Sequence, residues 1–497
     1  MGRLRQHIKK FVLGGVLIVV LSAIAVSSAL LIEVKDDIEI VKKASKPIPR
    51  VKAVLEDVLS GGPQTILLLG SDKRFADTAD MPPRSDTIIV AHLDPDRGAT
   101  AIMSLPRDLQ VEIPGYPGMR KINEAFELGG AALSVETVTL LLGVAINHVV
   151  NVNFGGFQRA VNRLGCVYAE VDRRYFNDNS GGGERYATID LQPGYQRLCG
   201  SDALDFVRFR HEDSDFVRAA RQQEFLRQAK AQIGLGRVFS DRKKLLRIFG
   251  AYTQSDIPQQ DTTEILGLLK VVYEASRKPI TEVRFPATDC PQGACVEVSR
   301  EDLQRTVDMF IDVRGSDDGL LEPDAQGPEP EPKPKPKLKR VRPSTVLAPG
   351  LVLDRSGGQR HVGAMQLRLG ALGLPVYYPG ARLGRARYGD SSPRSYAIVD
   401  PEKLRRRAYR IVLYAGEVGE FYGVQGTTWR SPPILDDPTD ERRIGNRTYQ
   451  RYFDGRRIRL IAFQTPLAVY WVSNTLSRRL TNAQMMGIAE SLRRSGA

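Results

Sequence analysis

Arginine dominates the stretch of the chain that is best suited to chemistry, residues 205–226 (DFVRFRHEDSDFVRAARQQEFL). Planar guanidinium groups bind phosphate oxygens through paired hydrogen bonds, so four arginines in one short stretch suit a ligand with more than one phosphate. A charge run of this kind is more often a solvated helix face. Here apolar residues alternate with the arginines and hold them at the edge of a core. This pattern favours an anion site.

Two local structures are predicted for this stretch. Arg208 and Arg210 are two residues apart, which is the spacing of one face of an extended segment. Ser214 or Asp215 can cap a following helix, whose first backbone N–H groups also favour an anion. One face of that helix carries three polar side chains at i, i+3 and i+4, namely Arg218, Arg221 and Gln222.

Two aspartates stand at the ends of apolar runs that read as strands. Asp72 follows the run at residues 64–69, and Asp86 begins the run at residues 86–93. Neighbouring antiparallel strands would bring both carboxylates to the same sheet edge. Two carboxylates beside phosphate oxygens and water form the hard oxygen environment that Mg²⁺ (or Mn²⁺) prefers. Aspartates at such positions are more often turn and cap residues, and that alternative stays open.

Two further segments place cationic or polar residues at the ends of elements. Arg107 lies in SLPRD (104–108), at the end of a predicted strand, and Pro106 stiffens its approach. Lys121 and Asn123 lie in KINEA (121–125), at the start of a predicted helix. Both segments are phosphate-site candidates, with structural salt bridges and helix caps as the alternatives.

Strand and helix patterns alternate through the first two thirds of the chain. This alternation predicts an α/β sandwich with helices covering a central sheet. Short apolar runs predict strands of one sheet at residues 64–69, 86–93, 100–104 and 109–113, and further strands at 147–152, 166–171 and near 283. Three-to-four spacing predicts helices at residues 122–143, 154–164, 218–234, 242–252, 262–276 and 300–313.

The N-terminal region predicts a membrane anchor. Residues 11–32 carry no charge and are long enough to span a bilayer. Basic residues precede this span and acidic residues follow it, so residues 1–10 are expected in the cytoplasm and the rest of the chain outside. A cleaved signal peptide is the alternative. Residues 33–62 read as a stalk between the span and the first domain.

The four cysteines predict two disulfides, since an even number in an exported chain permits bridges. Cys290 and Cys295 can close a small loop, which leaves Cys166 and Cys199 as the second pair. Zinc is the alternative, but the spacing fits no familiar finger and the chain has only 5 histidines.

A linker rich in proline and charge separates two predicted domains. The first spans residues 63–314, the linker spans 315–350, and a smaller α+β domain spans 351–497. This last third holds 24 Lys and Arg residues against 12 Asp and Glu, a net charge of +12. Contact with an acidic wall polymer is one expectation for it, and arginines that only solvate a small domain are the other. Nucleic acid is not expected outside the cytoplasm.

Taken together, the motifs resemble the LytR-CpsA-Psr family of membrane-anchored cell-envelope enzymes. The likeness rests on GSD (70–72), RSDT (84–87), SLPRD (104–108), KINEA (121–125), NFGGF (153–157) and RFRHEDSDFVRAARQQ (208–223), in that order. The resemblance implies an α/β/α sandwich with a central mixed sheet. It further implies transfer of a glycopolymer from a polyprenyl-pyrophosphate carrier to peptidoglycan.

The resemblance also assigns roles to individual residues. Asp72 and Asp86 match the metal ligands of the family, and its phosphate-contacting positions are matched by Arg107, Arg208, Arg210, Arg218 and Gln222. In the phosphoryl transfer that this implies, a carboxylate could accept the proton of the attacking hydroxyl, and Asp215 is the candidate, with helix capping as its alternative.

Two other functions remain open at this point. A polyprenyl-pyrophosphate hydrolase would need the same phosphate machinery, with water in place of the sugar hydroxyl. A non-catalytic envelope anchor or sensor would bind anionic polymer through the basic third of the chain, but it would have little use for the acidic pair.

Overall fold

The computed structural model describes residues 39–40, 42–43, 46–57, 61–71, 85–180, 187–209, 215–233, 247, 251, 253–257, 260–276, 281–290, 295–313, 319–321, 339–341, 347–370, 374–389, 393–417 and 419–495. The predicted cytoplasmic tail (1–10) and membrane span (11–32) lie outside these residues. So do Asp72 and Arg210, most of the predicted helix at 242–252 and most of the linker.

The first part of the described chain alternates strands and helices. Its strands are β1 (Lys46–Pro47), β2 (Gln64–Ser71), β3 (Ser85–Asp94), β4 (Ala99–Leu105), β5 (Gln110–Ile113), β6 (Tyr116–Lys121), β7 (His148–Asn153), β8 (Val167–Val171), β9 (Tyr175–Asn177), β10 (Ile189–Leu191), β11 (Gly194–Leu198), β12 (Thr253–Ser255), β13 (Thr281–Val283), β14 (Thr288–Asp289), β15 (Val296–Glu297) and β16 (Gly319–Leu321). Its helices are α1 (Glu124–Leu142), α2 (Phe154–Leu164), α3 (Gly200–Arg208), α4 (Asp215–Ile233), α5 (Thr262–Ser276) and α6 (Arg300–Ile311).

Eight of these strands form a mixed central sheet in the order β1-β12-β7-β2-β3-β4-β13-β16. β2 pairs antiparallel with β3 and parallel with β7, and β13 runs parallel to β4. Every residue of β4 is buried, as expected for a strand that is covered on both faces. The mixed sheet predicted from the sequence is therefore confirmed.

Helices cover both faces of this sheet. Leu67 and Leu69 of β2 share a core with apolar residues of α1 and α6. Ile66, which directly precedes Leu67, packs instead with Ile265 and Leu268 of α5. Because successive side chains of a strand point to opposite faces, the two helix groups lie on opposite sides of the sheet.

One predicted strand does not belong to the central sheet. The sequence places residues 109–113 beside the first three strands, but in the described part of the chain β5 pairs with β6 in a separate two-stranded sheet, and Leu109 forms an isolated bridge with Val296. Pro114 and Gly115 turn the chain back after β5, and Gly115 has a φ of 81°. β6 therefore takes up the hydrogen bonds of β5 that a neighbouring sheet strand would have used.

α1 is the one described helix that is long and apolar enough to cross a membrane by length and composition. In this fold it is a core helix, since Val135 and Val138 are buried against the central sheet. Gly130 interrupts its helical backbone with a φ of 66° and a ψ of −155°.

Both predicted disulfides are present. Cys166–Cys199 joins the residue before β8 to the residue before α3. Cys290–Cys295 closes the short loop between β14 and β15. The first bridge therefore links the β8–β11 hairpin to the helix that ends in Arg208.

The second part of the described chain is built on another sheet. Its strands are β17 (Lys339–Val341), β18 (Leu351–Leu353), β19 (Tyr377–Tyr378), β20 (Ala381–Leu383), β21 (Arg387–Tyr388), β22 (Arg394–Val399), β23 (Arg405–Tyr414), β24 (Phe421–Thr427), β25 (Asp440–Ile444), β26 (Arg447–Asp454), β27 (Arg457–Gln464), β28 (Val469–Ser473) and β29 (Arg493–Arg494). Its helices are α7 (Arg355–Gly370) and α8 (Asn482–Glu490).

Nine of these strands form the second sheet, in the order β17-β25-β26-β27-β28-β24-β23-β21, with β22 also paired to β23. Met365 of α7 and Ile488 of α8 share a core with Tyr409, Ile411 and other buried residues of this sheet. Thr481 and Gln484 form a capping box that begins α8.

The two parts share an aromatic core. Tyr168 of β8 and Tyr195 of β11 pack in one buried cluster with Trp429 and Trp471. The Tyr195 and Trp471 ring centroids are 5.8 Å apart, in an edge-on arrangement. The β8–β11 hairpin is therefore the place where the second sheet packs on the first part of the chain.

Hydrogen bonds from side chains to the backbone stabilise the same contact. The hydroxyl of Tyr396 on β22 donates to the carbonyl oxygen of Tyr195 over 3.1 Å, and the hydroxyl of Tyr168 donates to the carbonyl oxygen of Val399 over 2.6 Å. Gly194 begins β11 with a φ of 125°, and a Cβ atom at this position would collide with the Tyr396 hydroxyl. Only glycine allows so close an approach here.

Candidate functional site

A carboxylate between two cationic side chains lies where β4 ends. Arg107 Nε is 3.2 Å from one carboxylate oxygen of Asp108, and Lys121 Nζ is 2.9 Å from the other. Arg107 and Asp108 follow β4 after Pro106, and Lys121 ends β6. The two predicted segments SLPRD and KINEA are therefore brought together by one shared carboxylate.

The electrostatics extend this cluster to α4. Burial acts to raise the pKa of Asp108, but the opposing effects of Arg107, Lys121 and Arg218 are larger, so the pKa lies below its usual value. Arg218 belongs to α4, so three cationic groups from three elements act on a single carboxylate. We name these four side chains, Arg107, Asp108, Lys121 and Arg218, the Asp108 cluster. Its excess positive charge favours a bound anion.

Asn123 lies beside this cluster. Its backbone N–H donates to the carbonyl oxygen of Arg107 over 3.2 Å, and its side chain is buried. Within the described part of the chain, its Oδ1 accepts no hydrogen bond. The segment that follows β6 is thus tied by its backbone to the end of β4.

Arg208 is the last residue of α3, so the extended conformation predicted around it is wrong. The prediction rested on the two-residue spacing of the arginines and did not consider the apolar residues before them. Of these, Ala203, Leu204 and Phe206 are buried on one side of this helix. Arg208 Nε lies 3.3 Å from a carboxylate oxygen of Asp205. Its guanidinium carbon is 5.5 Å from the ring centre of Phe154, directly after β7.

Gln222 connects α4 to both neighbouring elements. Its amide nitrogen donates to the hydroxyl oxygen of Thr87 on β3 over 3.2 Å and to the carbonyl oxygen of Val207 on α3 over 3.1 Å. Thr87 directly follows Asp86, so the helix carrying Arg218 is held at the end of the strand that carries a predicted metal ligand.

Arg221 points away from this surface. It has an exposure of 0%, and its guanidinium donates to the carbonyl oxygen of Phe209 over 3.0 Å. The guanidinium carbon lies 4.7 Å from the ring centre of Tyr175. The structure therefore does not bring Arg221 to the surface shared by Arg107 and Lys121. Its position four residues after Val217 and four before Phe225, both buried, is the sequence signal for this placement.

β2 and β3 pair up to the strand ends near which the sequence predicts the acidic pair. Gly70 of β2 pairs with Thr87 of β3, Ser71 pairs with Ser85, and the register shifts between the two pairs. Asp72 lies outside the described residues, as does the side chain of Asp86. Among the side chains that are described, no group of three or more His, Cys, Asp or Glu could hold a metal ion.

The remaining predicted site residues are only partly described. Arg210 lies outside the described residues. Asp215 is the first residue of α4, and its side chain also lies outside. The roles predicted for both remain predictions.

Asp108 was not among the residues singled out in the sequence, although it lies within the SLPRD motif.

A second group of charged residues was also missed in the sequence, because its members are distant from one another along the chain. Glu224 and Arg227 of α4 form ion pairs with Asp454, Arg459 and Arg478 of the second part of the chain. Glu282 of β13 joins the group through its ion pair with Arg227. We name these six residues the interface ion cluster.

Distances within the interface ion cluster are those of direct pairs. Arg478 contacts Glu224 over 2.7 Å and Asp454 over 3.0 Å. Arg227 contacts Glu224 over 2.7 Å, Asp454 over 3.1 Å and Glu282 over 3.2 Å. Three carboxylates and three guanidinium groups thus face one another in a largely buried space.

The carboxylates of this cluster titrate differently. Burial raises the pKa of Glu282 to about 7, with nearby Asp454 adding to the effect and Arg227, Arg478 and Arg284 opposing it. For Glu224 the same burial is outweighed by the three arginines of the cluster, so its pKa is lowered. Glu282 is therefore the group of the cluster that takes up a proton most readily.

Replacing Glu282 by glutamine is expected to change the pH dependence of stability. Because the folded-state pKa is raised, Glu282 stabilises the fold below its unfolded pKa near 4.5, and this contribution is lost as the pH rises through about 7. The thermal midpoint of Glu282→Gln, relative to the parent, should therefore rise between pH 5 and pH 8. Glu301→Gln, at a largely exposed position, serves as the control and should show no trend. A constant Glu282→Gln difference across this range would contradict the assignment.

Comparison with known proteins identifies the family. Residues 31–309, more than half of the chain, match the LytR_cpsA_psr family. The chain therefore belongs to the LytR_cpsA_psr family, as its motifs predicted.

Individual relatives are similar over part of their length. A protein of Bacillus anthracis named polyisoprenyl-teichoic acid–peptidoglycan teichoic acid transferase TagU is 35% identical over 190 residues, which cover 37% of this chain and 58% of that protein. The Enterococcus faecalis protein of the same name is 30% identical over 223 residues, which cover 44% and 69%. The crystal structure of B. subtilis TagV, at 24% identity, covers 51% of this chain and 97% of that structure with a TM-score of 0.42.

Proposed function

We propose that this protein transfers a glycopolymer from a polyprenyl-pyrophosphate carrier to peptidoglycan, forming a phosphodiester. The observation that carries the proposal is the Asp108 cluster, in which cationic side chains from three elements surround one carboxylate. The names of the TagU relatives describe the same class of reaction. Family membership supports it further.

The proposed reaction is a phosphoryl transfer. A peptidoglycan hydroxyl attacks the phosphorus that bears the glycan, a new P–O bond forms, and the bond to the bridging oxygen breaks so that lipid monophosphate leaves. Negative charge develops on the bridging and equatorial oxygens. Arg107, Lys121 and Arg218 would stabilise it, because fixed cations in a partly buried site need little rearrangement as the charge appears.

Other residues are proposed to complete the site. Arg208 and Arg210 would hold the pyrophosphate from the α3 side, and Gln222 keeps α4 in register with β3. Asp215 is proposed to accept the proton of the attacking hydroxyl. Arg221 would act from the core by fixing the position of α4 against Tyr175 and Phe209.

Mg²⁺ (or Mn²⁺) is the proposed cofactor, with Asp72 and Asp86 as its protein ligands. The antiparallel pairing of β2 and β3 supports this proposal, because the ends of these strands are next to both positions in the sequence, and carboxylate oxygens suit a hard cation. When bound, the ion would neutralise charge on the phosphate oxygens.

The topology follows from the same proposal. Residues 11–32 would anchor the chain in the cell membrane as a single span, with residues 1–10 in the cytoplasm and the Asp108 cluster outside. The site would then face both the lipid-linked donor and the peptidoglycan acceptor.

The test is a transfer assay with the full-length chain in detergent, a polyprenyl-pyrophosphate-linked glycan and peptidoglycan fragments. Acceptor-dependent formation of the linked product with release of lipid monophosphate would support the proposal. Release of lipid monophosphate without linkage would replace it with a hydrolase. Binding without any turnover would replace it with a non-catalytic anchor or sensor.

Removing the metal is expected to abolish transfer. Chelation by EDTA, or Asp72→Ala, or Asp86→Ala, should lower the rate by about 100-fold or more, because the phosphate charge would lack its strongest counterion. Added Mg²⁺ should restore the chelated parent but neither variant. Asp308→Asn on α6, at an exposed carboxylate, is the control. Full activity of both alanine variants would exclude these residues as metal ligands.

A further inference from the structure

The second half of α4 is held by the second part of the chain. Arg478 contacts Glu224 over 2.7 Å, and Arg459 contacts the other carboxylate oxygen of Glu224 over 3.6 Å. Both arginines are mostly buried, with exposures of 6% and 17%. Their charges therefore act in a space from which water is largely excluded, where ion pairs are strong.

The first half of the same helix carries the phosphate-site residues. Glu224 lies two residues after Gln222, whose amide reaches Thr87 of β3, and six after Arg218 of the Asp108 cluster. At 1.5 Å per residue, Glu224 lies about 9 Å along the helix from Arg218. A helix transmits a shift over this distance almost as a rigid body, so the position of Glu224 sets that of Arg218.

Side chains of α4 also contact the central sheet. The amide of Gln223 lies 3.1 Å from the hydroxyl of Ser104, and Arg227 reaches Glu282 over 3.2 Å. Arg227 itself also contacts Asp454 of β26 over 3.1 Å. Arg227, which joins α4 to the central sheet, is thus engaged by the second sheet as well.

We propose that Arg478 and Arg459 are positioning residues for the phosphate site, acting through Glu224 on α4. The inference rests on the proposed function for what the site binds, and it gives the last third of the chain a role in the reaction. In this role the second sheet fixes the helix that presents Arg218.

The first measurement is binding of geranylgeranyl pyrophosphate to the full-length chain in detergent by isothermal titration calorimetry. Arg478→Met is expected to raise Kd at least tenfold, because Glu224 then lacks its nearest partner across the interface. Arg479→Met is the matched control, since Arg479 is the next residue, is 55% exposed and contacts only Glu417 and Glu420 among the ion pairs of the described chain. It should leave Kd within twofold of the parent. Equal Kd values for Arg478→Met and the parent would overturn the proposal.

Hydrogen exchange separates positioning from general loss of stability. In Arg478→Met, exchange should accelerate in peptides covering residues 215–226, whereas peptides from α1 should be unchanged. Ile488→Val, in the core of the second part, should lower the thermal midpoint without changing Kd or exchange in α4. If Ile488→Val raises Kd as much as Arg478→Met does, the positioning role is wrong.

Two further outcomes keep the inference distinct from the proposed function. Arg478→Lys keeps the positive charge and should recover part of the lost affinity. If Arg478→Lys binds geranylgeranyl pyrophosphate no more tightly than Arg478→Met does, a charge-mediated role is wrong. If the parent chain itself does not bind geranylgeranyl pyrophosphate, the proposed function fails. The exchange of α4 in Arg478→Met then still decides whether the second sheet positions this helix.

Discussion

Arg107→Ala is expected to lower the rate of glycan transfer by about 100- to 1,000-fold, the effect of removing one fixed charge-stabilising donor from a transition state. Arg107 stands at the end of β4, and its guanidinium is oriented by Asp108 over 3.2 Å. The substitution also leaves Asp108 and Lys121 as a nearly neutral pair, so less positive charge remains for the phosphate oxygens. The rate should be measured in a single turnover at saturating donor, where binding does not limit it.

Arg97→Ala is the matched control. Arg97 precedes the opposite end of the same strand, where it contacts Asp312 over 2.8 Å and is 44% exposed. It is far along β4 from the Asp108 cluster, so its loss should change the rate less than twofold. A loss of less than threefold in Arg107→Ala would show that Arg107 does not act on the reacting phosphate.

Arg410→Met is expected to destabilise the protein by about 3–5 kcal/mol, because it leaves the Glu170 carboxylate buried without its charged partner. Arg410 lies on β23, its side chain has an exposure of 0%, and it also donates to the hydroxyl of Ser473 over 3.0 Å. Glu170 lies on β8, so the pair joins the two parts of the chain. Urea unfolding can be followed by fluorescence, since both tryptophans, Trp429 and Trp471, lie in the shared aromatic core.

A double variant separates the pair from its surroundings. Glu170→Gln with Arg410→Met should lose much less stability than the sum of the two single changes, because no unpaired charge remains. Arg385→Met, which breaks an exposed pair with Glu417, should cost about 0–1 kcal/mol. Additive losses in the double variant would show that the two side chains do not interact.

The sequence predicted those features that depend on local pattern. The apolar runs of β2, β3 and β4, the helix over 262–276 and the two disulfides follow from residue type and short spacing, and the structure confirms them. Predictions from residue spacing were wrong where a short segment fits either a helix or a strand, as at Arg208. They were also wrong at Arg221, where an arginine shares the buried face of α4.

Contacts between distant segments could not be predicted from the sequence. Arg478 and Glu224 are 254 residues apart, and nothing in either segment indicates the other. The net charge of the last third also misled in one respect. Arg410, Arg459 and Arg478 are engaged by buried carboxylates, so the predicted contact with an acidic polymer has to rest on exposed arginines such as Arg430 and Arg493.

The shared aromatic core has a consequence for the order in which the chain can fold. Tyr195 and Gln425, which meet in this core, are 230 residues apart. The strand that carries Tyr195 is therefore synthesised long before the second sheet that packs on it. Until then Tyr168 and Tyr195 present apolar rings to water or to a chaperone. A chain that is truncated before residue 471 would keep this apolar surface exposed. Chaperones and proteases that bind exposed apolar surface would recognise such a chain.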